Sequence, residues 1–161
     1  MKQVVIISRY LLAVVFIFSG FVKGIDPMGS AYKFHDYFMA FHMNFMQPLS
    51  LAFAFILCAA ELLIGLMLLY GVNLRIAAWG VFIFMLAFTP LTLILAIFNP
   101  VSDCGCFGDA LHLTNWQTFF KNIVLLSAAY TFFRYRASLP PSFGEKKQSA
   151  MFAVLCVVAF L

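Results

Sequence analysis

Long apolar runs separated by short polar segments dominate the pattern of this chain. Four runs approach or exceed the roughly 20 apolar residues that cross the hydrocarbon core of a bilayer. They cover about residues 4–22, 49–70, 76–98 and 115–133. A fifth run, residues 150–161, reaches only about 18 Å as a helix. The pattern predicts an all-α membrane protein, with a four-helix transmembrane bundle and a truncated fifth span.

The segment after the first run has a different pattern. Residues 31–46 are too polar to span a membrane, yet their aromatic residues recur at helical spacing among charged and polar ones. This is typical of an amphipathic helix that lies at the membrane interface or packs over the mouth of the bundle. The simplest interpretation gives it no chemical role. Asp26 followed by Pro27 is a helix start signal, with Asp26 as N-cap.

Composition supports a membrane location, and the distribution of charge predicts the orientation of the chain in the membrane. Of the 161 residues, 65% are hydrophobic and only 10% are charged, which excludes an ordinary soluble domain. The net charge of +4 does not indicate nucleic-acid binding, because the basic residues cluster at the ends of the spans. Their distribution predicts a multi-pass membrane protein with a cytoplasmic N-terminus. We expect a bundle over residues 1–135, a cytoplasmic connection over 136–149 and the start of the fifth span over 150–161.

The chemistry is concentrated in one polar loop, Ser102-Asp103-Cys104-Gly105-Cys106-Phe107-Gly108-Asp109. The predicted topology places this loop outside the cytoplasm, where disulfides persist. A turn at Gly105 would bring Cys104 and Cys106 within bonding range. Three interpretations stay open: a redox-active pair, a structural turn, and a metal site completed by histidines. Cys-x-Cys is not the usual zinc spacing, and the histidines on this side are scattered; they are His35, His42 and His112.

Besides Lys121 near the start of the fourth span, two charged residues lie inside the predicted spans. Glu61 is in the second span and Arg9 in the first, at similar depths, so a buried Arg9–Glu61 ion pair is expected. The functional alternative for Glu61 is a proton relay or a ligand for the headgroup of a lipid-soluble carrier. Cys58, three residues before Glu61, is interpreted as an apolar filler. Lys23 and Lys121 are expected at the outer boundary.

Several of these residues together carry a family resemblance. Arg9, the stretch Ser19-Gly20-x-x-Lys23-x-x-Asp26-Pro27, Glu61 with Gly65, Gly71 and the Asp-Cys-Gly-Cys-Phe-Gly-Asp loop resemble the DoxX-like membrane proteins. Within these, the chain is most similar to the branch that includes the methylamine-utilisation protein MauE. The likeness runs over residues 1 to about 135, and the cysteine loop is its most specific part.

The resemblance implies a function in thiol–disulfide exchange. It implies a four-helix bundle that serves extracytoplasmic disulfide chemistry, with Cys104 and Cys106 as the redox pair of a thiol–disulfide oxidoreductase. Several relatives carry a thioredoxin-like domain after a fifth span, which implies such a domain as partner. DoxX-type subunits are also linked to quinone reduction, so a quinone is the implied electron carrier. The alternatives are a non-enzymatic scaffold or transporter with a structural loop, and an outward-facing metal-binding protein.

Overall fold

The computed structural model describes residues 2–99, 101, 105–106, 113–139 and 145–160, and these contain six α-helices. The helices are α1 (Lys2–Ile25), α2 (Pro27–Ala40), α3 (Ser50–Tyr70), α4 (Leu74–Phe98), α5 (Asn115–Tyr135) and α6 (Glu145–Phe160). Two short 3₁₀ helices accompany them, Asn44–Leu49 before α3 and Arg136–Ser138 after α5. The described part of the chain has no strand, as the hydrophobic pattern predicted.

The predicted starts of two helices are confirmed. The Asp26 carboxylate accepts a hydrogen bond of 2.9 Å from the Gly29 amide, and Pro27 occupies the first position of α2. Thr114 and Gln117 form a reciprocal capping box, so α5 begins at Asn115, where the sequence predicted. Each cap supplies partners for backbone groups that a helix end leaves unpaired.

The amphipathic helix lies earlier in the chain than the aromatic pattern predicted. It covers Pro27–Ala40 instead of residues 31–46, because His42 adopts a left-handed conformation with φ 57° and the helix does not continue through it. Aromatic contacts join this helix to α3, including Phe38 against Phe53 with ring centroids 5.6 Å apart. α2 therefore packs on the bundle.

α1 and α3 run antiparallel in close contact. The approach depends on two glycines, since a Cβ at Gly20 would lie 2.7 Å from the Leu62 amide nitrogen. A Cβ at Gly65 would lie 2.7 Å from the Ile17 amide nitrogen. Small residues at a helix interface allow backbones to come this near, as is common between membrane helices. This contact sets which side chains of α1 face α3.

α4 and α5 form the other side of the bundle. The rings of Phe82 and Phe133 stack at 4.9 Å, and Trp79 meets Phe133 edge-on at 4.6 Å. Further along, the Asn122 side-chain amide donates a 3.2 Å hydrogen bond to Thr92 Oγ1. The buried core draws apolar side chains from α1, α3, α4 and α5, and Leu155 of α6 joins it.

Three helical segments of the described chain are long and apolar enough to cross a membrane: Lys2–Ile25, Asn44–Tyr70 and Leu74–Phe98. They correspond to the first three predicted spans. α5, the predicted fourth span, is not among them, and it carries polar and charged side chains such as Asn122, Lys121 and Arg134. α6 contains a shorter apolar helix, Lys147–Ala159, and packs against α3.

Candidate functional site

A buried ion pair lies between α1 and α3. Lys23 Nζ is 2.7 Å from Glu61 Oε1 and 2.8 Å from Oε2, so the ammonium group bridges both carboxyl oxygens. The two residues are only 5% and 3% exposed. Ser19, one helical turn before Lys23, lies 3.0 Å from Lys23 Nζ and 2.8 Å from Glu61 Oε2. The three side chains form one polar cluster inside an apolar bundle.

The predicted Arg9–Glu61 ion pair is wrong. The Arg9 guanidinium instead donates to the carbonyl oxygens of Leu68 and Leu69, at 2.6 and 3.0 Å. These carbonyls lie in the last turn of α3, where helix geometry leaves them without a backbone donor. Because α1 and α3 are antiparallel, Arg9 meets a point about 10 Å along α3 from Glu61 at 1.5 Å per residue. Lys23, on the buried face of α1, takes the place that was predicted for Arg9.

The polar cluster reaches the cysteine loop through its backbone. Ser19 Oγ lies 2.6 Å from the carbonyl oxygen of Cys106. Cys106 is half-buried and disulfide-bonded, whereas Cys58 and Cys156 are free thiols. Cys104, the other residue of the predicted pair, lies outside the described residues. A disulfide-bonded residue is thus joined through its backbone carbonyl to Ser19 of the polar cluster.

α2 covers the same loop from the other side. Gly105 has φ +62°, and a Cβ on it would lie 2.9 Å from Lys33 Cγ. The left-handed conformation and the close side chain together favour glycine at this position. A small cavity of about 50 Å³ between α2 and the loop is lined by Lys33, Gly105 and Cys106, among others. The Gly105-Cys106 segment is therefore enclosed between α2 and the cluster on α1.

A second small cavity connects the ion pair with Cys106. Its volume is about 30 Å³, room for one or two water molecules. Polar and apolar side chains line it together: Ser19, Lys23, Glu61, Cys106, Lys121, Asn122, Val15, Phe16, Phe84, Met85, Phe88 and Leu125. Lys121 and Asn122 come from α5, so all four main helices contribute. The volume of this cavity is smaller than a quinone ring requires.

The metal interpretation depends on some residues that the structure describes and on others that it does not. Within the described ranges, no group of three or more His, Cys, Asp or Glu side chains is placed to hold a metal ion. His35 lies 4.0 Å from Asp36 of the same helix, and both side chains are exposed. His112, Asp103 and Asp109 lie outside the described residues.

A family model matches the chain over residues 1–134, and its description is methylamine utilisation protein MauE. The match covers all of α1 to α4 and nearly all of α5. The chain belongs to the MauE family. Comparison with curated proteins and with solved structures found no match. The MauE-family membership agrees with the resemblance that the sequence motifs indicated.

All three residues of the polar cluster occur in the sequence motifs, but the motifs do not indicate that they meet. The motifs give Ser19 and Lys23 no role, and the sequence predicts only that Lys23 lies at the outer boundary. One signal was available: both continue the buried face of α1, which recurs every three or four residues through Leu12, Phe16, Ser19 and Lys23. The helix runs to Ile25, beyond the apolar run, so Lys23 remains on that face.

Cys58 has a more specific position than an apolar filler. Its thiol donates a 3.0 Å hydrogen bond to the Gly20 carbonyl, and its sulfur would lie 3.3 Å from a Cβ at Gly24. It also lines a cavity of about 320 Å³ between α1, α3 and α6, whose walls are mainly apolar and do not include Cys106. Cys58 therefore contributes to the α1–α3 contact.

Proposed function

We propose that this MauE-family membrane protein is a component of an extracytoplasmic thiol–disulfide exchange pathway. In this proposal Cys104 and Cys106 form one disulfide, which exchanges with a thioredoxin-like partner. The partner is a separate protein or a domain that follows α6. The observation that carries the proposal is the disulfide of Cys106, held at one end of the bundle between Lys33 of α2 and Ser19 of α1.

The surroundings of Cys106 favour a working disulfide over a structural turn. A bridge across three residues removes little chain entropy, so it adds little stability as a staple. The enclosing elements already fix the segment, through Ser19 on one side and Lys33 on the other. Cys106 is nevertheless only half-buried. In the proposal, the partner's thiolate reaches the bridge from the accessible side of Cys106.

The exchange step balances without any further reactant. When the chain starts in its disulfide form, the partner enters as a dithiol. One partner thiolate forms a bond to one sulfur of the bridge, the bridge breaks, and its electron pair leaves on the other sulfur. The partner's second thiolate then attacks the partner's own sulfur in the mixed disulfide, and the remaining cysteine of this chain leaves as a thiol. Two electrons and two protons pass from the partner's thiols to Cys104 and Cys106, and the partner leaves as a disulfide.

The proposed topology makes α5 the fourth span despite its polar residues. α5 packs along α4, with contacts from Asn122 near one end to Phe133 near the other. Its polar side chains Asn122 and Lys121 face the cavity beneath Cys106, where a membrane helix can hold polar groups. In the proposed topology the N-terminus lies in the cytoplasm, on the side where the basic residues cluster, and the Cys106 end lies outside the inner membrane.

Trapping a mixed disulfide tests this function. Right-side-out inner-membrane vesicles are mixed with reduced thioredoxin whose second active-site cysteine is replaced by serine, so that the first bond cannot be resolved. We expect a covalent adduct on a non-reducing gel that Cys104→Ser/Cys106→Ser abolishes. Cys58→Ser/Cys156→Ser is the matched control and retains the adduct.

Two results would overturn the proposal. One is an adduct yield that does not depend on Cys104 and Cys106. The other is an adduct that forms only in inside-out vesicles, which would place the disulfide on the cytoplasmic side.

A further inference from the structure

A polar cleft lies at the end of the bundle opposite the Cys106 segment, separated from it by the length of α4. Its volume is about 260 Å³, many times that of one water molecule. The turn before α4, the 3₁₀ helix after α5 and the start of α6 all contribute to its walls. Four polar side chains line it: Asn73, Arg75, Arg136 and Gln148.

The chemistry of these side chains suits an anion. Arg75 and Arg136 are positively charged donors that do not lose their proton in proteins, and Asn73 and Gln148 carry amide donors. None of the described residues that line the cleft is acidic. Two positive charges from separate elements therefore line the same cleft.

The start of α4 adds further donors to the cleft. Its N-cap residue, Asn73, makes no side-chain cap hydrogen bond, and the first turn of α4 has no acidic residue. The first backbone amides of a helix lack acceptors within the helix, and the helix dipole favours negative charge beside them. They favour an anion at the same place as the two arginines.

Aromatic side chains connect the two arginines on the side toward the middle of the bundle. The Arg136 guanidinium lies over the Phe133 ring, 4.6 Å from its centroid, and donates to the Phe133 carbonyl. Phe133 meets Trp79 edge-on, and Trp79 lies one turn after Arg75 on the same face of α4. Trp79 and Ile76 are both about half exposed, at 47% and 53%. The cationic cleft thus continues directly into an apolar surface that faces lipid.

We propose that this cleft binds the phosphate group of an anionic phospholipid, whose acyl chains lie along the exposed apolar residues of α4. A guanidinium group can bind two phosphate oxygens at once, and basic pockets between membrane helices are typical sites for such headgroups. A free phosphate ester offers the arginines the same chemistry but makes no use of the apolar surface beside them. The bound headgroup joins the start of α4 to the connection between α5 and α6. The proposal is independent of the cysteine chemistry.

Native mass spectrometry with lipids of matched acyl chains tests the proposal. The full chain is purified in detergent, freed of lipid, and titrated with dioleoyl phosphatidylglycerol or with dioleoyl phosphatidylcholine, which carries no net charge. We expect a single phosphatidylglycerol to bind per chain, in preference to phosphatidylcholine. Arg75→Gln/Arg136→Gln should weaken that binding by roughly tenfold or more, because the loss of one charge-assisted hydrogen bond corresponds to about that factor.

Lys2→Gln/Arg134→Gln is the matched control. It removes the same charge from two exposed residues at the same end of the bundle that do not line the cleft, and it should keep the wild-type affinity. Arg75→Gln alone guards against a folding defect, because its side chain is exposed. This single variant should lose part of the affinity and keep the wild-type melting temperature in lipid-free detergent.

Three results would overturn the proposal. Equal affinity for the two lipids would show that the headgroup charge is not recognised. Equal weakening in Arg75→Gln/Arg136→Gln and in the control would show attraction by surface charge alone. Displacement of phosphatidylglycerol by glycerol 3-phosphate at the same concentration would show that the cleft takes a free phosphate ester and not a lipid.

Discussion

Lys23 Nζ lies 2.7 Å from Glu61 Oε1, and the pair is almost completely buried between α1 and α3. The two residues are 38 positions apart in the chain and belong to antiparallel helices. Their pairing, with Ser19 between them and the Cys106 backbone, connects the bundle interior to the disulfide segment.

Removing one charge of the Lys23–Glu61 pair should destabilise the protein more than removing both charges. Lys23→Met or Glu61→Gln alone leaves the other partner buried without its counter-charge, and we expect each to lower the free energy of unfolding by about 3–5 kcal/mol. The double variant Lys23→Met/Glu61→Gln should lose clearly less than either single variant. Thermal unfolding in detergent compares the three. Equal losses in the double and single variants would show that the two charges do not depend on each other.

Arg9 should stabilise the C-terminal end of α3 through hydrogen bonds, and it should not form an ion pair with Glu61. Arg9→Met removes donors from the carbonyls of Leu68 and Leu69, and hydrogen bonds from charged donors contribute about 1.5–3 kcal/mol. We expect a loss of that size, and the exposed Arg75→Met serves as control. The loss should be the same in a Glu61→Gln background. Stability losses of Arg9→Met and Glu61→Gln that are strongly non-additive would instead support the Arg9–Glu61 ion pair that the sequence predicted.

The glycines at the α1–α3 contact should tolerate no side chain. Gly20→Ala and Gly65→Ala each place a Cβ 2.7 Å from a backbone nitrogen, so the helices must separate, at a cost of about 1–3 kcal/mol. Gly80→Ala is the control, since its Cβ would meet only the end of the Ile64 side chain at 3.2 Å. The melting temperatures of Gly20→Ala and Gly65→Ala should lie well below that of Gly80→Ala. A loss in Gly80→Ala as large as theirs would contradict the close helix contact.

Gly105→Ala should strain the disulfide segment in two separable ways. The left-handed φ of +62° costs an alanine about 1–2 kcal/mol, and its Cβ would also press against Lys33 Cγ at 2.9 Å. Adding Lys33→Ala should relieve the second effect only, so the double variant recovers part of the lost stability. If Lys33→Ala gives no recovery, α2 does not pack on Gly105 as described.

The helices were predictable because their signals are local. Apolar runs, the Asp26-Pro27 start and the Thr114–Gln117 capping box each act within a few residues, and the helix bounds follow them closely. α2 was misplaced because aromatic residues continue past its end, whereas the chain leaves the helix at His42 through a backbone conformation that spacing does not reveal.

The site was only partly predictable because it depends on how helices are positioned against each other. Arg9 and Glu61 lie at similar predicted depths in the membrane, which suggested that they pair. A predicted depth does not determine how α1 and α3 are aligned, and therefore which residue of α3 lies opposite each residue of α1. The close contact at Gly20 and Gly65 sets that alignment and places Lys23 opposite Glu61. The link from Ser19 to the Cys106 carbonyl is a backbone contact, and side-chain patterns carry no signal for it.

A redox titration of the thiols tests the central claim most directly. The membrane-reconstituted protein is equilibrated in graded dithiothreitol buffers, free thiols are alkylated, and their number and positions are read by mass spectrometry. The account predicts that Cys104 and Cys106 become reduced together, in one reversible two-electron transition of the folded protein, while Cys58 and Cys156 stay free throughout. A pair that is reduced only when the protein unfolds, or that does not close again on oxidation, would contradict it.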